Sequence, residues 1–514
     1  MMRDFVSKSV KLNRDLDRYI EKALEQDRPV KIGWGRAGDE RPKDGEFGVI
    51  THLPEGARVL CLGNLGDCAG IANLGGTFTL RGSAGSMLGA FHESGKTVVE
   101  KDVGDNTGFM MSGGEISIQG SVGDNAGSGM TGGSILVRGH TGSNLGSGMK
   151  GGSVIVMGSV GSDPGIGMNG GRIIIAGSCP PPPDGVEMRT IKKSEISEFS
   201  DLLDPIGLSL SEDALVLEPH EILPEEDKIP EAFVSEGFEK ISLFPNEDSL
   251  SKQAPLDHYT LLVPGKGDSE GLLLKIPWLI SIETTSENED WGGLDFPAIV
   301  RSDPREVDLL LIGLKDIGNS VDAVKNCAGI ILEISNLPGQ NDAEIEAIIV
   351  SIVSRMSDSS LVMLRGNIDR VEYLFRLVRD LELDGAVIEC ATPGGSRLAS
   401  SLPKIGLASK AMGLTGGGKF VMLELENEPD AKDLLIAVAS GCSAVVSPLS
   451  GGNASSKISD LSRSLRGWMK EIGIDRMERI GRRNLRATDF DTAAISGLRL
   501  VGYERPLKMW LDLR

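Results

Sequence analysis

The sequence predicts a multidomain chain, a right-handed parallel β-helix followed by an α/β domain of the (β/α)-barrel kind. Three observations predict it. A glycine-rich repeat recurs every 19 residues, a run of four prolines ends it, and beyond about residue 258 short apolar strands alternate with amphipathic helices. Fixed-period repeats and alternating β and α segments are the marks that such folds leave in a sequence.

The repeat comes first. Gly-Gly pairs stand at Gly75-Gly76, Gly113-Gly114, Gly132-Gly133, Gly151-Gly152 and Gly170-Gly171, and Ser94-Gly95 fills the one gap. Two apolar columns keep the same period: Phe78, Thr97, Ile116, Ile135, Val154, Ile173, and Leu80, Val99, Ile118, Val137, Val156, Ile175. Met111, Met130, Met149 and Met168 follow it as well. Alternation with period two marks strands with one buried face. One 19-residue coil cannot bury that face alone, so coils must stack with like residues above like. At about 4.8 Å per strand, six coils make a body of roughly 29 Å. Glycine fills the corners because it reaches positive φ without steric cost.

The repeat also imitates nucleotide motifs. Gly127 to Gly132, Gly146 to Gly151 and Gly165 to Gly170 each spell GxGxxG, and Ala90 to Thr97 resembles a phosphate-binding loop. Such fingerprints need a strand before and a helix after, and no helical pattern follows any of them. They are read as coincidences of a glycine-rich period.

After Gly177 the run Ser178-Cys179-Pro180-Pro181-Pro182-Pro183 cannot join a strand ladder. The stretch that follows is acidic and irregular, and reads as an exit segment and linker with local structure. Further on, strands are expected at Leu309–Ile312, Gly329–Glu333, Leu361–Leu364, Gly385–Ile388, Phe420–Leu423 and Ala444–Val446. Helices over 342–355 and 369–381 fall between them. This spacing is that of βα units on a parallel sheet, with sites expected at the C-terminal ends of the strands. The resulting domains are an N-terminal helix and lead-in (1–60), the β-helix (61–178), a proline-rich acidic linker (179–255) and the barrel-like region (256–514).

Composition narrows the partners. A net charge of -21 opposes non-specific attachment to nucleic acid or anionic membrane. No apolar run is long enough to span a bilayer, and Met1 to Val6 carries no signal core. The six cysteines (Cys61, Cys68, Cys179, Cys327, Cys390, Cys442) form no CxxC pair and read as reduced thiols of a cytoplasmic protein. The five histidines are dispersed, so no metal site is expected.

The pattern Gly-x-x-x-Gly-x-x-Met-x-Gly-Gly-x-Ile-x-Val-x-Gly resembles the GXGXG domain. That domain ends the large chain of glutamate synthase and forms a subunit of formylmethanofuran dehydrogenase. Gly82 to Phe91 and Asp105 to Gly114 carry the likeness, and Asn13 to Ile20 sits where the family has a helix before its first coil. The C-terminal half looks like the second half of the glutamate synthase flavin barrel. Cys390-Ala391-Thr392-Pro393-Gly394-Gly395-Ser396 stands at that family's glycine-rich loop, and Ile405 to Ala408 and Leu465 to Arg483 match later segments. The resemblance implies an FMN site at Gly394, Gly395 and Ser396, with Gly451-Gly452 as replacement phosphate contacts.

The departures point the other way. Where the family has Asp-Gly-Gly, this chain has Glu424-Leu425-Glu426-Asn427-Glu428, and no cysteine follows Cys442 to hold an iron–sulfur cluster. Each carboxylate–phosphate pair at 4 Å repels by about 1 kcal/mol in water and about 4 near a protein surface. The expected function is therefore a subunit of a glutamate synthase-like complex, non-catalytic alone, with a degenerate barrel. Glutamine amidotransferase and FMN-barrel subunits are its expected partners. An FMN-binding oxidoreductase subunit and a formylmethanofuran dehydrogenase-like scaffold are the alternatives. Unpaired strand edges at the ends of the β-helix leave self-association open, unless the helix near Asp15 to Glu25 caps one end.

Overall fold

The computed structural model of the chain describes residues 4–35, 41–42, 46–222, 237–246, 250, 253–261, 273–284, 297–335, 341–357, 360–390, 398–414, 417–449 and 453–503. They fall into two compact units. The first joins Met1–Glu226 with Lys315–Val321 and Gly339–Arg355; the second comprises Asp227–Leu314, Asp322–Pro338 and Met356–Arg514.

The first unit is built on a ten-stranded sheet. Eight strands, from Val30–Ile32 to Gly170–Ile175, follow one another in parallel. Thr97 lies opposite Ile116, Ile116 opposite Ile135, Ile135 opposite Val154 and Val154 opposite Ile173, so the chain returns to the same place every 19 residues. Single bridges linking Ala84, Val103, Val122 and Thr141 make a second ladder at the same offset. Ile116, Ile135, Val154 and Ile173, the whole second apolar column and the four methionines share one buried core.

Thr97 is polar in an apolar column, and the structure explains it. His92 donates from Nδ1 to the Gly113 carbonyl at 3.1 Å, which leaves Nε2 to accept from Thr97 Oγ1 at 3.3 Å. At the corner glycine Gly133, φ is +82°, and a Cβ would lie 2.5 Å from Met111 Cε and 2.8 Å from the Gly114 carbonyl oxygen. Only glycine fits there.

Both ends of the stack are covered. The N-terminal helix spans Asp4–Glu25, longer than the Asp15 to Glu25 segment expected, and Leu16 and Ile20 enter the core. Asn13 fixes it, donating to the Gly48 carbonyl at 2.8 Å and accepting from the Ile50 N–H at 2.9 Å. At the far end the linker reading needs correction. Strands Val186–Thr190 and Leu215–Pro219 extend the sheet antiparallel, with Leu217 opposite Ile173. The helix Lys193–Leu203 lies between them in sequence, and its Phe199 and Leu203 pack with Leu136, Ile155 and Ile174. The physical reason is legible afterwards. The outer column runs Thr79, Val98, Ser117 and then Leu136, Ile155, Ile174, so the last three positions need an apolar cover.

The second unit is a closed barrel of eight parallel strands. They are Trp278–Thr284, Ala298–Ser302, Leu309–Ile312, Gly329–Glu333, Leu361–Asn367, Gly385–Glu389, Phe420–Glu424 and Ala444–Pro448. The first pairs with the last, Ile280 opposite Ser447, which closes the ring. Its first two strands lay beyond the sequence reading. That reading placed its first strand at Leu309–Ile312, the third of the eight. Alternate residues fill the interior, including Leu279, Ile299, Leu311, Ile331, Met363, Val387, Met422 and Val446. Among the described residues no helix is long and apolar enough to cross a membrane.

Candidate functional site at the barrel mouth

The parity that fills the barrel also decides what stands at its mouth. Ile331, Met363, Val387 and Met422 point inward, so two residues on, Glu333, Arg365, Glu389 and Glu424 form the next inward layer. These four sit at or near the C-terminal ends of adjacent strands four to seven. C-terminal strand ends are where barrels of this architecture carry their sites.

The layer is one ion network. Arg365 grips Glu424 with a fork, Nε to Oε2 at 2.7 Å and Nη2 to Oε1 at 3.0 Å. Its Nη1 lies 3.2 Å from Glu333 Oε1, and its Nη2 3.2 Å from Glu389 Oε1. Ser335 Oγ donates to the other Glu389 oxygen at 3.1 Å. Arg365 is buried. Burial works against its charge, but the hydrogen bonds to Glu424 and the field of the three carboxylates outweigh that and raise its pKa. Glu389 is also raised. Its burial exceeds the relief Arg365 gives, and Glu424 and Glu333 repel it. One guanidinium cannot neutralise three carboxylates, so Glu389 is the group best placed to take a proton.

The acidic stretch after strand seven is partly spent within the protein. Glu424 is held by Arg365, and Glu428 receives Lys457 Nζ at 2.6 and 2.7 Å. Glu426 is exposed. A flavin phosphate entering here would meet a cluster with negative charge in excess and a cation already gripped, so the described residues of the mouth do not fit it. Gly394, Gly395 and Ser396, the expected FMN contacts, lie outside the described residues, as do Gly451 and Gly452. Sequence reasoning missed Arg365. The signal was available: an arginine two residues past Met363 on an inward parity, beside glutamates at equivalent places on three neighbouring strands.

The motifs set aside from sequence are strands and turns. Ser94–Val99 is a strand, with Lys96 Nζ 2.7 Å from Glu115, and the strand Ser134–Val137 follows the first GxGxxG segment. Among the described residues no group of His, Cys, Asp and Glu is placed to hold a metal ion.

No family model and no curated protein matches the sequence. Among solved structures, the chain is similar to a mutant flavocytochrome b2 with benzoylformate, at 13% identity, covering 55% of this chain and 86% of that one, with a TM-score of 0.39. A mandelate oxidase variant with 4-Br-2-hydroxy-methylphenylacetate shows 16% identity, coverage of 48% and 88%, and a TM-score of 0.35. DHODH from Eimeria tenella in complex with ferulenol shows 12% identity, coverage of 32% of this chain and 56% of that one, and a TM-score of 0.24. Likenesses this weak carry no argument about activity; the barrel rests on its own strand pairing.

Proposed function

We propose that the chain serves an oxidoreductase assembly of the glutamate synthase-like kind as a scaffold subunit, with a barrel that does no chemistry alone. The observation that carries this reading is the Arg365 network, which sets one gripped cation among three carboxylates at the ends of strands four to seven. On this reading the 19-residue stack is the right-handed parallel β-helix of a GXGXG domain, and its partners are a glutamine amidotransferase and a flavin-barrel subunit.

An FMN-binding oxidoreductase subunit is the competing reading. It is favoured by the closed parallel barrel and by glycines following strands six and eight in sequence, at Gly394-Gly395 and Gly451-Gly452. The two readings part on one measurement. Full-length protein, purified and then titrated with FMN, is expected to show no flavin absorbance and no quenching of FMN fluorescence. A yellow preparation with one flavin per chain would establish the second reading and end the first.

A further inference from the structure

The second unit holds a cavity of about 310 Å³ that is separate from the Arg365 network. It is lined by Leu402 and Leu407 of the helix Leu398–Ala411, by Leu485 and Leu498 of the C-terminal segment, and by the backbone that ends the helix Ala431–Ala439. Gly441 lies just before the start of strand eight at Ala444, whereas the ion network sits where strands end. The cavity therefore stands at the end of the barrel opposite the mouth.

Its charges are of one sign. Lys410 and Arg482 belong to the lining and, among the described residues, no carboxylate does. Arg482 donates to the Ser496 carbonyl at 2.7 Å, and burial lowers its pKa with no carboxylate acting against that shift. Lys410, in the last turn of its helix, has no ion-pair partner among the described residues. The chain as a whole carries a net charge of -21, so a lining whose described charges are both positive departs from its average. Leu407 is 65% exposed, leaving an apolar side chain in water unless something covers it. An apolar wall with a few convergent polar groups is the usual make-up of a small-molecule site, and this volume is near the lower end of the range, about 300 to 1,000 Å³.

We propose that this cavity binds a small amphipathic carboxylate, its apolar body against the four leucines and its carboxylate held by Lys410 and Arg482. The arginine fork suits a carboxylate, and the lysine adds a second charge-assisted contact. Nothing in this assignment depends on the barrel mouth.

Calorimetric titration of the full chain with sodium octanoate tests it, with 1-octanol and octyltrimethylammonium as matched probes. Octanoate should bind saturably with a Kd below about 1 mM, and the neutral and cationic probes at least about tenfold more weakly. Lys410→Glu and Arg482→Glu should each weaken octanoate by about tenfold or more while a thermal melt shows the fold retained. Leu407→Ala should weaken octanoate and octanol together. Equal binding of octanoate and octanol, binding untouched by either charge reversal, or no saturable octanoate binding would each overturn the proposal.

Discussion

Arg365 stands where three strands each contribute a glutamate, and its removal would leave those carboxylates facing one another in a part-buried layer. Arg365→Met is expected to cost about 3 kcal/mol or more, as breaking a buried ion cluster from one side does. The loss, read by denaturant melts, should shrink as the pH falls. Glu389 has its pKa raised in the folded state. Its contribution is thus present below the unfolded carboxylate pKa and fades as pH rises through the folded one. A loss independent of pH would mean that Arg365 acts by packing alone. The buried histidines carry the opposite sign. His52 and His92 are each lowered from 6.5 to about 4, by burial first, with a carbonyl hydrogen bond from Ile317 or Gly113 opposing. Both are neutral in the fold, so their stabilisation is full above about 6.5 and is lost as pH falls toward 4. A shift of that size is worth about 3 kcal/mol per histidine. His92→Gln should flatten the fall in Tm across that window, and a slope identical to that of the unaltered protein would refute the assignment.

At the scale of elements, the stack depends on corners more than on strands. Gly133→Val forces a β-branched residue to positive φ and drives Cβ into Met111 and the Gly114 carbonyl. A cost of about 3 kcal/mol or more is expected from strain and lost stacking, read as a lower denaturation midpoint. A neutral substitution would mean the corner can relax. The same element scale shows where sequence reading succeeded. Strand positions in the repeat were legible because every copy buries the same columns, so period and burial agree. The helix Lys193–Leu203 escaped because its evidence lies elsewhere, in Leu136, Ile155 and Ile174 turning the outer column apolar. Reading that needs the coils already stacked.

For the whole molecule, the first unit is not one stretch of chain. It takes in Lys315–Val321 and Gly339–Arg355, which supply the Ile317 carbonyl to His52 at 2.8 Å, Glu344 to Asn106 at 3.1 Å and Ser354 to Asn13 at 3.0 Å. Arg355 also donates to the Thr51 carbonyl at 2.7 Å and pairs with Asp17. A chain ending at Glu226 keeps every strand of the ten-stranded sheet and loses all these partners, the Ile317 carbonyl of His52 among them. Its Tm is expected to fall below that of the corresponding transition in the full chain by about 5 °C or more. Equal melting would show that the two segments add nothing to the unit.

The sequence by itself determined the 19-residue stack, its two inward columns and six of the barrel strands, because a repeating pattern of burial is a local property that neighbours in the chain record. The tertiary structure alone decided what those elements do together. Closure of the barrel by Trp278–Thr284 against Ala444–Pro448, the cover over the last coils, and the meeting of Arg365 with Glu333, Glu389 and Glu424 all join residues far apart in the chain. Charges from four strands acquire a common meaning only when the ring closes and parity turns them toward the same axis.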